Sequence, residues 1–548
     1  MFRRLAARVP AAVWVFLLPV VLGAPFVGRA YFVDDLYHVT MARGLLEHPL
    51  RPYDFRADDA GPGNLGWEKG SFPRMVNPPL HHYLVAAFWK LTGGRLWAVR
   101  LGMLLFSGLS AVFLWRLAGR FLLPPVPAAA LCVLTPAFWL SSYSLLIDST
   151  MLTFFLGGLW AWIEGLHRRS ARRLAIGGVL MGAAMLTKYT GGFVCALAAL
   201  WWAMLPREER RWRDLAWLAI PTLMLAGWNV WTAAVYGAPH LTESSKRAVQ
   251  SFHWGNVLAF LTFFSGVTLA PLAAWRWTWA DGRNRAAAFA VAGAVLAGFL
   301  ASRWGGFGPG QAALMAFLAA GSLVFFDRVV RLDFSAGPSS DRFLLAWLAL
   351  GAFQLVFVMG WTAARYHLAV VPPAVFLALR AAQRAHRHFA SRLNGFHATA
   401  AAALLLAGAA LAVGDHLQAS TQRLIREDLR RDGLPAAGGR SFYLGDTFTG
   451  GQVKDDGWEP AFPETAFRPG DVVLRREVVM PPWWFRPDPA RMRLLKVYDY
   501  PSRWPVRVMD NRGAAGFYAS VWGALPFTFS VGPLERYSLI GVTGGDGG

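Results

Sequence analysis

The chain has 548 residues, 55% of them hydrophobic and only 16% charged, with 26 Trp, 39 Phe and a net charge of +21. Repeated apolar stretches of about 17–25 residues mark a polytopic helical membrane protein rather than a water-soluble domain. The positive excess is topological, since 37 of the 54 Lys/Arg but only 17 of the 33 Asp/Glu fall in residues 1–414. Basic loops of that kind face the cytoplasm beside anionic lipid. No compact basic patch with interleaved aromatics lies outside them, so nucleic acid is not an expected partner.

Arg3, Arg4 and Arg8 precede an apolar run from Val9 to Val27, which places the N-terminus in the cytoplasm and makes the first span an uncleaved anchor. Residues 31–94 form the first outer loop. Its middle, Ala57 to Arg74, is rich in turn residues, whereas Asp34–Leu46 and Pro79–Lys90 read as helices too short to span that lie along the interface. Further spans fit at about 97–115, 122–142 and 149–166, the last closed by the basic run 167–173. Residues 174–205 lie between two basic flanks, which demands an even number of crossings and a turn at Thr187–Gly191 on the outer side. Spans at about 215–235, 255–275, 285–302, 310–326, 343–361, 366–380 and 398–414 complete an expected set of thirteen, with inner loops at Trp275–Arg285, Asp327–Arg342 and Arg380–His397.

Residues 415–548 are different in kind. Lys/Arg and Asp/Glu nearly balance there, and Ser441–Leu444, Val472–Val479 and Arg493–Tyr498 read as strands. The expected architecture is therefore an all-α polytopic membrane domain over 1–414 with a small C-terminal extracytoplasmic β or α+β domain over 415–548. Cys132 and Cys195 both lie in apolar stretches and read as small packed hydrophobes.

In this topology the unusual polar residues share the outer face. Asp34, Asp35 and His38 open the first interfacial helix, with Arg43 further along it. Asn77-Pro-Pro-Leu-His-His-Tyr83 follows, bringing His81 and Tyr83. Asp148 opens the fourth span, Lys188 sits at the hairpin turn, and Arg365-Tyr366-His367 begins a late span. Carboxylates beside cations at a membrane surface suit transfer chemistry: a carboxylate takes the proton of an acceptor hydroxyl while Lys or Arg stabilises a departing phosphate. Plainer readings stand beside each. Asp34 and Asp148 are also helix-start residues, Asp35 a first-turn charge, Lys188 a snorkelling lysine, and Arg365 a partner for lipid phosphate. No cofactor is demanded by the sequence. A divalent metal held by one of His81 and His82 with Asp34 or Asp35 stays open beside packing or hydrogen bonding near the headgroups, because adjacent helical residues point apart.

The order Asp34-Asp35, Asn77-Pro-Pro-Leu-His-His-Tyr83, Asp148, Leu186-Thr-Lys-Tyr-Thr-Gly191 and Ala364-Arg-Tyr-His-Leu368 resembles the C-type membrane glycosyltransferases, in the branch of the protein O-mannosyltransferases and lipid A aminoarabinose transferases. The likeness is strongest over residues 30–200, weaker near 361–375 and architectural in the tail. It implies an inverting transferase of the bacterial inner membrane that uses a polyprenyl-phosphate-linked sugar on the periplasmic face, with a lipid, polysaccharide or protein hydroxyl as acceptor. It further implies Asp34 as base, Asp35 where the family usually has Glu, Lys188 as a phosphate contact and Asp148 as the acidic residue opening the fourth span. Asn77 stands where the aminoarabinose branch has Lys, which speaks against that sugar. A lipid transporter or flippase is the alternative from another class, but it calls for charges in mid-span and paired broken helices in related halves. A non-catalytic scaffold displaying the tail is a third reading, against which the acidic pair is intact.

Overall fold

The computed structural model describes residues 10–55, 75–248, 254–273, 292–293, 298, 308–332, 339–385, 390–435, 439–444, 447–479, 481–482 and 484–543. The first helix, α1 (Ala11–Gly23), runs on into a 3₁₀ turn at Ala24–Phe26. The two short helices of the first outer loop are α2 (Asp35–Glu47) and α3 (Leu80–Leu91). They pack on each other and on α4 (Leu96–Arg120) through Val39, Leu45, Val85, Val99 and Met103.

The stretch expected as one span over 122–142 is two helices, α5 (Pro125–Leu134) and α6 (Pro136–Ser142), bent by 70°. Thr135 leaves the helix, its hydroxyl accepts a hydrogen bond from Phe138 N, and Pro136 starts the next piece. Proline lacks the N–H that a continuing helix would need and suits a first helical position. Next come α7 (Ile147–His167) and α8 (Ala171–Thr187), the latter capped by the Ser170 hydroxyl. A 3₁₀ turn at Tyr189–Gly192 leads into α9 (Phe193–Met204). The turn is tight at Gly191, where a Cβ would come within 2.5 Å of the Ala184 carbonyl oxygen, so only glycine fits.

The remaining helices are α10 (Ala219–Tyr236), α11 (His240–Ala248), α12 (Trp254–Val267), α13 (Pro309–Val330), α14 (Ser339–Phe353), α15 (Val371–Ala385) and α16 (Ala390–Arg431). A π turn, Gln354–Val358, extends α14, and a 3₁₀ turn, Ala364–Ala369, precedes α15. Among the described residues five helices are long and apolar enough to cross a membrane, and the bent pair α5/α6 makes a sixth. Other expected spans coincide with helices that fall short of that length or hydropathy, namely α1, α7, α8, α9, α12 and α15. The span expected at 285–302 falls almost wholly outside the described residues, and the inner loop Trp275–Arg285 and the loop Ala57–Arg74 fall wholly outside them.

At 42 residues α16 is the longest helix, about 63 Å at 1.5 Å per residue. It runs unbroken through position 414–415, where a domain boundary was expected. Its distal turns place Ile425 and Leu429 in a core with Tyr443, Trp458, Leu474, Tyr498 and Tyr537. Of these, Tyr443, Leu474, Tyr498 and Tyr537 belong to a five-stranded mixed sheet built from β1 (Ser441–Leu444), β2 (Glu459–Ala461), β3 (Val472–Arg476), β4 (Met492–Pro501) and the last strand, β9 (Pro533–Val542). The order is β2-β1-β3-β9-β4, with β1 parallel to both neighbours and β9 antiparallel to both of its own. Between β4 and β9 lie two small ladders, β5 (Val506–Arg507) with β8 (Thr528–Phe529) and β6 (Met509–Asp510) with β7 (Ala515–Gly516).

Candidate active site

Four segments far apart in sequence meet where helices stop. Val33, just before α2, has a φ of 54°, a left-handed conformation that costs an L-residue on the order of 1–2 kcal/mol. Asp34 and Asp35 follow it as successive residues at the helix start, so their carboxylates point apart. Asp34 Oδ2 lies 3.1 Å from Arg365 Nη2, and the same guanidinium reaches Asp148 Oδ2 with Nε at 3.5 Å. Lys188 Nζ completes the chain at 2.6 Å from Asp148 Oδ1. Asp148 sits in the first turn of α7, Lys188 is the extended residue that ends α8, and Arg365 lies in the 3₁₀ turn before α15. Tyr366 joins them, its ring centroid 4.1 Å from Lys188 Nζ and 5.3 Å from the Arg365 guanidinium carbon.

Two carboxylates and two cations thus neutralise one another. Among the described residues the buried Nη1 of Arg365 has no hydrogen-bond partner, so this cluster holds an unused donor. Beside it is an open recess lined by the polar Asp148, Lys188 and Tyr366 and the apolar Met151, Leu355 and Val370. Part of its wall is the π turn, a helix irregularity that recurs at functional sites.

Asp35 turns the other way and is fully buried. Its Oδ2 accepts from Arg100 Nη2 at 2.7 Å, Phe32 N at 3.2 Å and Arg29 Nη2 at 3.4 Å, while Oδ1 accepts from Leu145 N at 3.0 Å. Arg29 also pairs with Asp415 of α16, which accepts in turn from the hydroxyls of Tyr143 (2.9 Å) and Tyr518 (2.7 Å). Arg100 donates further to the carbonyls of Val27, Arg29 and Ala30. The two neighbouring acids are therefore driven apart in acidity. Loss of water raises the Asp34 pKa above the ordinary carboxylate value despite the pull of Arg365, although its side chain keeps 44% of its surface. For Asp35 burial pushes the same way, but Arg100, Arg29 and the Leu145 N–H overcome it and hold the carboxyl below the usual range. Opposite displacement of two like groups is how acid–base roles are divided in a site. Here it leaves Asp34 the weaker acid of the pair and Asp35 the stronger.

The other expected residues are engaged nearby but differently. His38 Nδ1 faces His82 Nε2 at 2.9 Å, and His81 lies between Thr150 Oγ1 (3.0 Å) and the Leu145 carbonyl (2.8 Å). Burial depresses all three imidazoles, His81 to about 4, so they are neutral at physiological pH. Among the described residues no group of three or more His, Cys, Asp or Glu is arranged to hold a metal. Arg43 is exposed. The Asn77 carbonyl accepts from the Tyr53 hydroxyl at 3.0 Å, and the Tyr83 hydroxyl donates to the Pro49 carbonyl at 2.5 Å. Arg29, Arg100, Tyr143, Asp415 and Tyr518 were not among the expected residues. Arg100 carried the plainest signal, a cation inside an apolar run that needs an internal counter-ion.

Residues 76–231 match the family model described as dolichyl-phosphate-mannose-protein mannosyltransferase. The match covers 156 of the 548 residues. The matched region supplies Asp148 and Lys188 to the cluster, whereas Asp34 and Arg365 come from outside it. The chain is also 26% identical over 196 residues to the lipid A galacturonosyltransferase RgtD of Rhizobium johnstonii, an overlap covering 34% of this chain and 40% of that relative. Among solved structures it is similar to ArnT from Cupriavidus metallidurans in the apo state, with a TM-score of 0.40 and 15% identity over 84% of this chain and 92% of that one. The undecaprenyl-phosphate-bound form of ArnT gives 0.39 and 14%, over 81% and 83%. The Archaeoglobus fulgidus oligosaccharyltransferase gives 0.38 and 12%, over 82% and 63%.

Proposed function

We propose that the chain is a multi-pass glycosyltransferase of the bacterial inner membrane that moves a sugar from a polyprenyl-phosphate donor to a hydroxyl acceptor, a lipid, glycan or protein, on the periplasmic face. The N-terminus is cytoplasmic, residues 1–414 form the transferase domain, and 415–548 form a periplasmic C-terminal domain. The observation that carries this reading is the ion cluster Asp34–Arg365–Asp148–Lys188 beside a recess lined by both polar and apolar side chains. That recess suits a phosphate joined to an isoprenoid chain.

The chemistry follows from charge. A donor phosphodiester carries one negative charge and leaves as a phosphate monoester carrying a second. Lys188 and Arg365 stabilise that developing charge, which is the differential interaction that lowers a barrier. When Arg365 turns to the phosphate, Asp34 loses its counter-ion and becomes a stronger base. It takes the acceptor proton as the hydroxyl oxygen attacks the anomeric carbon from the face opposite the departing phosphate, so configuration inverts. Asp148 holds Lys188 and Arg365 in register, and Tyr366 covers both cations.

Purified protein incubated with polyprenyl-phosphate-linked sugars and candidate acceptors should release polyprenyl phosphate and add one sugar mass to an acceptor. A verified, bound donor that stays intact with every acceptor class would sink the reading. Lys188→Ala removes one charge-assisted phosphate contact, worth roughly 1.5–3 kcal/mol, so donor affinity should fall by about ten- to a hundredfold. Unchanged affinity would remove Lys188 from the phosphate site. The pH dependence has a defined sign. Asp34 works deprotonated and its pKa is raised, so transfer is complete above that value and declines as pH falls through it. The acid limb should therefore lie above the ordinary carboxylate range, and a limb at or below that range would speak against Asp34 as the base.

A further inference from the structure

The C-terminal region reaches the ion cluster from two directions. On one side, Ala364 N donates to the Phe517 carbonyl at 2.8 Å, Ser520 N to the Thr362 carbonyl at 2.7 Å, and Thr362 N to Ser520 Oγ at 2.9 Å. This two-stranded clasp ends at the residue before Arg365. On the other side, the Tyr518 hydroxyl donates to Asp415 Oδ1 at 2.7 Å and accepts from Arg29 Nη1 at 3.2 Å. Its ring stands edge-on to Phe32, centroids 5.7 Å apart. Arg29 holds Asp35, and Phe32 leads into the left-handed Val33 and Asp34. The segment itself is well seated. Thr262 of α12 donates its hydroxyl to the Ala524 carbonyl at 2.6 Å, Met509 N donates to Gln418 Oε1 of α16 at 3.1 Å, and Phe517, Tyr518 and Ala519 are each only 1% exposed.

We infer that Tyr518 and the backbone of residues 517–520 are a positioning element of the reaction centre, setting Asp34 through Asp415, Arg29 and Asp35, and Arg365 through the clasp on Thr362–Ala364. The inference rests on the glycosyltransferase reading and deepens it, because it makes part of the C-terminal region a component of the site rather than an accessory to it. The physical basis is that one rigid, buried segment contacts the supports of both the base and the phosphate-binding cation. Their separation is then set by a single body instead of by two loops that fluctuate independently.

A matched pair of tyrosines tests this. The Tyr500 hydroxyl also donates to an aspartate of α16, Asp428 Oδ2 at 2.8 Å, but that aspartate pairs with Arg431 at the far end of the helix. Tyr518→Phe and Tyr500→Phe each delete one hydroxyl and keep the ring. In Tyr518→Phe the kcat for donor consumption should fall by about tenfold or more, as small displacements of reacting groups do, with KM for the donor unchanged. Tyr500→Phe should retain the wild-type kcat. Equal losses in both variants, or none in Tyr518→Phe, would reduce the contact to ordinary docking. Carbodiimide labelling of Asp34, read by peptide mass spectrometry, gives a second readout that needs no turnover. It should increase in Tyr518→Phe alone, and identical labelling in both variants would overturn the inference even if wild-type protein consumed no donor, an outcome that would separately defeat the transferase reading. Ser520→Ala, which removes the acceptor of Thr362 N, carries the same comparison if Tyr518→Phe does not accumulate as folded protein.

Discussion

Asp34→Asn is expected to lower the rate of sugar transfer by a factor of about 10²–10⁴, the range that a positioned general base contributes, while leaving polyprenyl-phosphate affinity intact. The side chain is half-exposed and, among the described residues, its ion pair is with Arg365. Asparagine keeps its shape and can still face that guanidinium through its carbonyl oxygen. The loss should appear in kcat rather than KM, because the proton is taken only as the reaction proceeds. Single-turnover donor consumption, measured beside equilibrium binding of the donor, separates the two. Normal turnover in the variant would leave the base unassigned and would shift attention to Asp148.

Asp35→Asn should behave as its opposite. Here the substitution strikes a buried carboxylate that faces two arginines and accepts two backbone N–H bonds. Removing one partner from a buried ion network leaves uncompensated charge and costs about 3–5 kcal/mol. The expected result is a large drop in the thermal unfolding midpoint in detergent, with little folded protein recovered, whereas Asp34→Asn unfolds like the wild type. A stable but inactive Asp35→Asn would mean that this residue acts on substrate directly. The contrast between neighbours one position apart is the sharpest test of the geometry, since the two changes are chemically identical.

Much of this site was legible because its residues lie at the ends of apolar segments, where topology alone assigns a face. Asp34, Asp148, Lys188, Arg365 and Tyr366 were all singled out in that way, and the structure brings them together. The division of labour within the acidic pair was not legible. It depends on Arg29, Arg100 and Asp415, and the ion pair between Arg29 and Asp415 spans 386 positions, a distance over which no local pattern operates. The break in the expected span over 122–142 was readable in principle, since Thr135-Pro136 is a cap followed by a helix-opening proline. Overall hydropathy concealed it. Strands at 441–444, 472–476 and 492–501 lay within or close to the expected stretches, but the parallel pairing of β1 with β2 and β3 follows from tertiary packing. The extension of α16 beyond the last apolar run followed from its distal core contacts rather than from any change of composition.

The left-handed backbone at Val33 has a consequence for how this stretch of chain can vary. Outer loops ordinarily absorb insertions and deletions at little cost. Between Arg29 and Asp35 they cannot, because the carboxylate that meets Arg100 is selected by counting residues from a turn and not by any difference between the two side chains. Losing one residue there would put Asp35 in the place of Asp34 and Leu36 beside the arginines, whereas gaining one would put Asp34 beside the arginines and Val33 in the ion cluster. The spacing is thus a register in the mechanical sense, and it should be intolerant of length change even where the individual side chains can be replaced.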